Sequence, residues 1–146
     1  MIELRDITAD NWEDVANLKV AGDQQSFVAP NVYSIAESKF YPSVEIKAIH
    51  AGETLVGFIM WGPDPVHNPP EMWIWRFMIA AEHQGNGYGR AAMQAALDHL
   101  RAQPGVDAVF LSFEPDNTGA DRLYTSLGFR RTGRVEYGEI VVKLEF

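Results

Sequence analysis

The residues best suited to chemistry lie in Gln84-Gly85-Asn86-Gly87-Tyr88-Gly89-Arg90, between a dense apolar run (Met72 to Ala81) and the helix pattern Ala91 to Leu97. A strand, a glycine-rich turn and a helix start in that order offer unpaired backbone N–H groups and the positive end of the helix dipole. Glycines let that backbone approach a bulky anion at φ angles other residues resist. Such a turn suits a phosphate or pyrophosphate; a flexible turn without a ligand is the plain alternative. Two familiar phosphate loops do not fit. The dinucleotide pattern Gly-x-Gly-x-x-Gly matches Gly85 and Gly87 but ends on Arg90, and a P-loop counted from Gly85 puts its second glycine on Arg90 as well. What is left is Gln-x-x-Gly-x-Gly, carried by Gln84, Gly87 and Gly89.

A second pattern follows at Asn117-x-x-Ala120-x-x-Leu123-Tyr124-x-x-Leu127-Gly128-Phe129. Ala120, Leu123 and Leu127 have the spacing of a packed helix face. Tyr124 adjoins Leu123 and points away from that face. His50, His67, His83 and His99 show no metal-ligand spacing and read as structural or exposed, so no metal is expected. There is no cysteine, which excludes disulfides, thiolate metal sites and a cysteine nucleophile, and fits a reducing compartment. The net charge of -8 speaks against nucleic acid and is compatible with a cationic small molecule. The N-terminus lacks a basic segment followed by an apolar run, and no apolar stretch is long enough to span a bilayer, so neither a signal peptide nor a membrane is expected.

The elements that must position these residues are readable in order. Ile2, Leu4 and Ile7 mark a short strand, and Asp10-x-x-Glu13 resembles a capping box ahead of a helix with Trp12, Val15, Ala16 and Leu18 facing inward. A second short helix begins at Asn31 or at Ser34, where Ser34-x-x-Glu37 repeats the capping pattern, and Pro42 stops it. Val44 to His50 and Thr54 to Met60 form a hairpin around Ala51-Gly52-Glu53, and Gly62 to Pro70 is a loop. Met72 to Ile79 reads as a central strand buried on both faces. A helix from Gly87 to about Ala102 aligns Ala92, Met93, Ala96, Leu97 and Leu100. Val106 to Phe113 is a strand, Asp116 or Asn117 caps a helix to Leu127, and Gly128 sits at its left-handed end. Phe129 to Thr132 and Tyr137 to Leu144 close the chain as strands. The pattern predicts one domain over 1–146, of α/β (α+β mixed) class: a central mixed, mostly antiparallel twisted sheet of about seven strands flanked by four helices.

The glycine loop and the Asn117 to Phe129 segment, one strand apart, resemble the two motifs of the GCN5-related N-acetyltransferases, and the likeness runs from about residue 45 to the end. In the N-terminal part, Asn17-Leu18-Lys19-Val20, Phe27-Val28-Ala29-Pro30-Asn31, Tyr33-Ser34 and Lys39-Phe40-Tyr41-Pro42 are similar to bacterial diamine and spermine/spermidine N-acetyltransferases, and Glu114-Pro115-Asp116-Asn117 extends the match. There is one departure. Where those relatives usually carry an acidic residue in the strand before the loop, this chain has Trp75. Either the acceptor is different or the acidic contact comes from elsewhere.

The resemblance implies a cytoplasmic enzyme that transfers an acetyl group from acetyl-coenzyme A to a small-molecule amine, and it leaves room for a homodimer. Backbone groups of Phe77, Met78 and Ile79 would meet the pantetheine arm. Gln84, Gly85, Asn86, Gly87, Tyr88, Gly89 and Arg90 would hold the pyrophosphate, and Asn117 would reach the arm. Tyr124 is the family's usual acid for the leaving thiolate. An alkylamine with a pKa near ~10.4 must lose a proton before it attacks. The base is Glu37, Glu45, Glu71, Glu114 or a water. The acceptor wall is expected from Asp23 through Glu37 to Glu45, with Glu71 and the loop before it opposite, and with Tyr33, Phe40 and Trp75 packing against the methylene chain.

Overall fold

The computed structural model describes residues 1–146. Seven strands form one sheet: β1 (Ile2–Asp6), β2 (Glu45–Ala51), β3 (Thr54–Pro63), β4 (Met72–Ile79), β5 (Ala108–Phe113), β6 (Arg130–Glu136) and β7 (Glu139–Glu145). Their order across the sheet is β1-β2-β3-β4-β5-β7-β6. Every pairing is antiparallel except β4 with β5. Four helices flank it: α1 (Trp12–Ala16), α2 (Asn31–Ser38), α3 (Tyr88–Arg101) and α4 (Thr118–Ser126). The expected class, strand count and helix count are therefore observed.

The sheet carries a core on each face. The larger joins Ala92, Met93, Ala96, Leu97 and Leu100 of α3 to β-strand residues such as Ile59, Trp61 and Leu111. These five are the residues the 3.6 period aligned in the sequence, and all are buried. The smaller core gathers Val15 of α1 with Phe58, Met60 and Met78.

Several local expectations change. No side chain caps α1, and Asn11 instead accepts from the Thr8 N–H at 2.7 Å, so Asp10 and Glu13 form no capping box. Helix α1 is only five residues long, and it buries Val15 while leaving Trp12 42% exposed. Helix α2 starts at Asn31, whose buried amide donates to Val15 O at 2.9 Å and ties the two helices together. Ser34 is buried within α2 rather than capping it. β3 runs on to Pro63, into the expected loop. Tyr137 and Gly138, with φ of 52° and 77°, are the β6–β7 turn and not the start of β7.

The largest departure concerns β4. It is not buried throughout: only Ile74, Met78 and Ile79 are. The strand pairs with β5 at a single register position, Trp73 opposite Phe110. On its other side Met60 faces Arg76 and Trp61 faces Ile74, so Trp75 has no partner and forms a bulge. A bulge bends its strand and redirects side chains. Beyond it β4 and β5 part, and the opening between them becomes the site.

Candidate active site

Two cavities meet in that opening. One, of about 350 Å³, runs from the glycine loop (Gln84, Gly85, Gly87, Tyr88, Gly89) past Phe77, Met78 and Ile79 to Asn117 and Tyr124. The other, of about 670 Å³, lies on the far side of Tyr124 and reaches α2, the 64–67 loop and the β6–β7 turn. Phe27, Val28, Phe77, Asn117, Ala120 and Tyr124 line both, so they mark the junction.

At its loop end the smaller cavity presents backbone. The first N–H of α3 to find a partner is that of Ala91, on Gly87 O at 3.2 Å. The N–H groups ahead of it are left for a ligand, at the positive end of a 14-residue helix. Gly85 and Gly87 hold φ of 83° and 79° and have open space where a Cβ would sit. A ligand can therefore approach this backbone directly. Gly89 has no such φ, and an added Cβ there would make ordinary contacts at 3.7 Å with Ile79 and Phe77. The arrangement fits a pyrophosphate on the loop with an extended arm along the end of β4, as coenzyme A would require.

Side chains of the loop mostly brace it. Gln84 donates to Ile79 O at 2.9 Å and to Gln24 Oε1 at 2.8 Å, tying loop to strand and to the 22–26 segment. Asn86 donates to His83 O at 3.1 Å. Arg90 hydrogen-bonds Ser126 Oγ on α4, and neither it nor Asn86 lines either of the two cavities.

Tyr124 is placed by the motif around it. Gly128, at φ 101°, ends α4. Phe129 N–H then reaches back to Tyr124 O at 3.0 Å and Gly128 N–H to Thr125 O at 3.1 Å. This double closure brings the residue after the glycine onto the last inward turn of the helix. Here that contact is Phe129 against Tyr124, ring centroids 5.8 Å apart, with Phe113 of β5 at 5.9 Å on another side. Asn117 Oδ1 caps α4 at the other end by accepting from Ala120 N–H at 3.2 Å, which leaves its amide N–H groups for the junction. Tyr124 is 8% exposed, and burial pushes its phenol up from 10. It is a neutral donor at every working pH.

The larger cavity is built from side chains of separate segments. Glu37 of α2 meets Arg76 at 3.2 Å. Trp75, redirected by the bulge, packs on Tyr41 at 5.2 Å and donates to Gly62 O at 3.2 Å. Asp64 accepts from the N–H groups of Val66, His67 and Glu71. Burial alone would raise its pKa, but those N–H groups and the His67 ring hold it below the usual carboxylate range. Behind this wall, Glu71 takes Arg134 on both oxygens at 2.9 Å, and that pairing lowers the Glu71 pKa. Arg134 also holds Glu136 at 2.7 Å, and Glu71 first and Glu136 second raise its pKa further.

Of the residues expected at the acceptor wall, Glu37 and Trp75 line this cavity. Glu71 stands behind the lining, engaged with Arg134 and Trp73. Glu45 accepts from Trp61 Nε1 at 2.9 Å, and Tyr33 is exposed on α2; neither lines either of these two cavities. Glu114 and Asp23 also lie outside both linings, and Phe40 is 79% exposed. The loop before Glu71 does line the cavity, through Asp64 to His67, although sequence reasoning did not single out Asp64; Tyr41, Arg76, Glu136 and Glu139 line it too and were missed. The one available signal was Tyr137-Gly138, a two-residue turn that would have placed Glu136 and Glu139 side by side.

The comparisons agree with this geometry. The chain is 28% identical to the spermine/spermidine N(1)-acetyltransferase of Bacillus subtilis (strain 168), over 99% of this chain and 98% of that one. Its fold matches the spermidine N-acetyltransferase of Vibrio cholerae in complex with CoA and spermine, with TM-score 0.74 and 19% identity, covering 97% of this chain and 92% of that one. It also matches an aminoglycoside acetyltransferase in complex with coenzyme A, with TM-score 0.82 and 16% identity, covering 99% and 95%. The model of the acetyltransferase (GNAT) family matches residues 3–129. With its helix-start loop, its parted strands and its capped tyrosine, the chain belongs to the acetyltransferase (GNAT) family.

Proposed function

We propose that this acetyl-coenzyme A-dependent N-acetyltransferase acetylates a primary amine of a small polyamine, such as spermidine, spermine or a diamine, in the cytoplasm. The observation that carries this reading is the lining of the larger cavity. Glu37, Asp64, Glu136 and Glu139 meet there with the aromatic rings of Tyr41, Trp73 and Trp75. Carboxylates suit the ammonium groups of such an acceptor, and the rings suit the methylene chain between them. The full-length similarity to the Bacillus subtilis enzyme supports the same class.

Acetyl-coenzyme A supplies the activated acetyl group. The chain's own groups do the rest. The N–H groups at the start of α3 hold the pyrophosphate, and backbone along Phe77 to Ile79 takes the arm. Backbone N–H at the end of β4 serves the carbonyl oxygen as charge builds on it. Tyr124 gives its proton to the departing sulfur. A thiol with a reference pKa near ~8.5 is a weak base toward a phenol, but burial disfavours both anions, so the two pKa values rise together. Glu37 and Glu71 are each engaged with an arginine, and for Glu71 that pairing lowers the pKa. Deprotonation of the amine through ordered water therefore fits this site better than a dedicated carboxylate.

The second reading is another cationic amine, an amino sugar in particular, because the fold matches an aminoglycoside enzyme as well as it matches a spermidine one. Release of coenzyme A should be followed with spermidine, spermine, 1,4-diaminobutane, aminoglycosides and an N-terminal peptide. Polyamines are expected to be turned over with the highest kcat/KM. Polyamines left inert while another amine is acetylated would overturn the acceptor and leave the family assignment standing.

A further inference from the structure

We propose that Glu139, at the tip of the β6–β7 hairpin, holds the non-reacting ammonium group of the acceptor and so sets a preference for diamines over monoamines. This deepens the polyamine reading and rests on it.

The argument is one of charge balance around the larger cavity. Glu37 is engaged by Arg76, and Glu136 by Arg134 at 2.7 Å. Asp64 is saturated by three backbone N–H groups and by His67. Glu139 lines the same cavity and makes no ion pair; its polar contact is with the Ser112 hydroxyl, which donates to Oε1 at 2.7 Å. That hydroxyl fixes one carboxylate oxygen on the rim of β5 and leaves the negative charge uncompensated. A charge in such a position is stabilised when a cation arrives.

The hairpin itself breaks two local rules to put it there. Glu136 and Glu139 are direct cross-strand partners, a like-charged pairing that costs stability. The turn between them places Tyr137, a residue with a full side chain, at φ 52°. Glu136, Tyr137 and Glu139 all line the cavity that ends at Tyr124. Unfavourable local choices are retained where a site needs them. Here the need is a second carboxylate beside Glu136, whose one arginine is shared with Glu71.

The test compares 1,4-diaminobutane with butylamine, which share a reacting nitrogen and differ in the distal ammonium. Wild type should prefer the diamine in kcat/KM. E139Q should lose that preference by about 10-fold or more, the size of a charge-assisted hydrogen bond, mostly through KM for the diamine. KM for acetyl-coenzyme A and turnover of butylamine should stay near wild type. In the wild-type enzyme, added salt should erode the same preference, a readout that needs no variant. If wild type acetylates the diamine and E139Q keeps the full preference, Glu139 is not the anchor while the polyamine reading survives. A wild type indifferent to the second ammonium, or inert toward the diamine while spermidine or spermine is acetylated, overturns this proposal and leaves the polyamine reading; one inert toward all of them overturns both.

Discussion

The two cavities that meet at Tyr124 recognise their ligands by opposite means. The smaller centres on one contiguous loop, the end of β4 and the start of α3, which present backbone N–H groups, while the 20–28 segment and α4 close its sides. The larger draws on α2, the 64–67 loop, β4, β5 and the β6–β7 hairpin, and it presents charged and aromatic side chains. Backbone recognition needs a conformation, which a few glycines secure locally. Side-chain recognition needs the right residue at each of several distant places, and those places are free to vary without disturbing the loop. This division lets one cofactor half serve many acceptors.

The junction should be the most sensitive point. Tyr124→Phe keeps the ring between Phe113 and Phe129 and removes only the hydroxyl. Turnover is expected to fall by about 10²-fold or more with the affinity for acetyl-coenzyme A held, as typical for loss of a general acid. A change within about threefold, under ~1 kcal/mol of barrier, would show that the hydroxyl is not the proton donor.

The smaller cavity should respond next, and unevenly along its loop. Gly87→Val puts a β-branched side chain at φ 79° and in the path of the phosphates. Affinity for coenzyme A in calorimetry should drop by about 10- to 100-fold. Gly89→Ala meets only contacts of 3.7 Å at an ordinary φ and should cost far less. Equal losses at the two positions would mean that approach distance, not backbone conformation, governs the loop.

The wall behind the larger cavity should show the smallest effect, in stability rather than catalysis. Arg134 holds the Glu71 carboxyl below its usual pKa, and backbone N–H groups do the same for Asp64 against the effect of burial. A carboxyl depressed in the folded state stabilises the protein above its unfolded pKa, and that stability is lost as pH falls through the folded value. Thermal melts should therefore decline below about pH 4–5. Glu71→Gln should lower the melting temperature at neutral pH by a few degrees and flatten the acid decline. An unchanged acid limb would mean that other carboxyls carry it.

The sequence by itself determined the fold class, seven strands, four helices and the buried face of α3, because periodicity and turn residues are local. It also determined the glycine loop and the capped tyrosine. A left-handed glycine, the residue after it and the turn before it lie within one short segment, so Leu127-Gly128-Phe129 suffices to hold Tyr124 in place. Where local signals failed, a tertiary contact had won. Ser34 looked like a cap and is buried in α2, and Trp12 looked like core and, as the first residue of the five-residue α1, stays 42% exposed. The Trp75 bulge was invisible because it is a mismatch between two strands, not a property of either. The acceptor wall was decided only by the tertiary structure. Glu45 and Glu139 are equally plausible carboxylates in the chain, yet one is turned to Trp61 and the other to the cavity. That choice depends on strand register and on the parting of β4 from β5, both set by contacts between residues far apart in sequence.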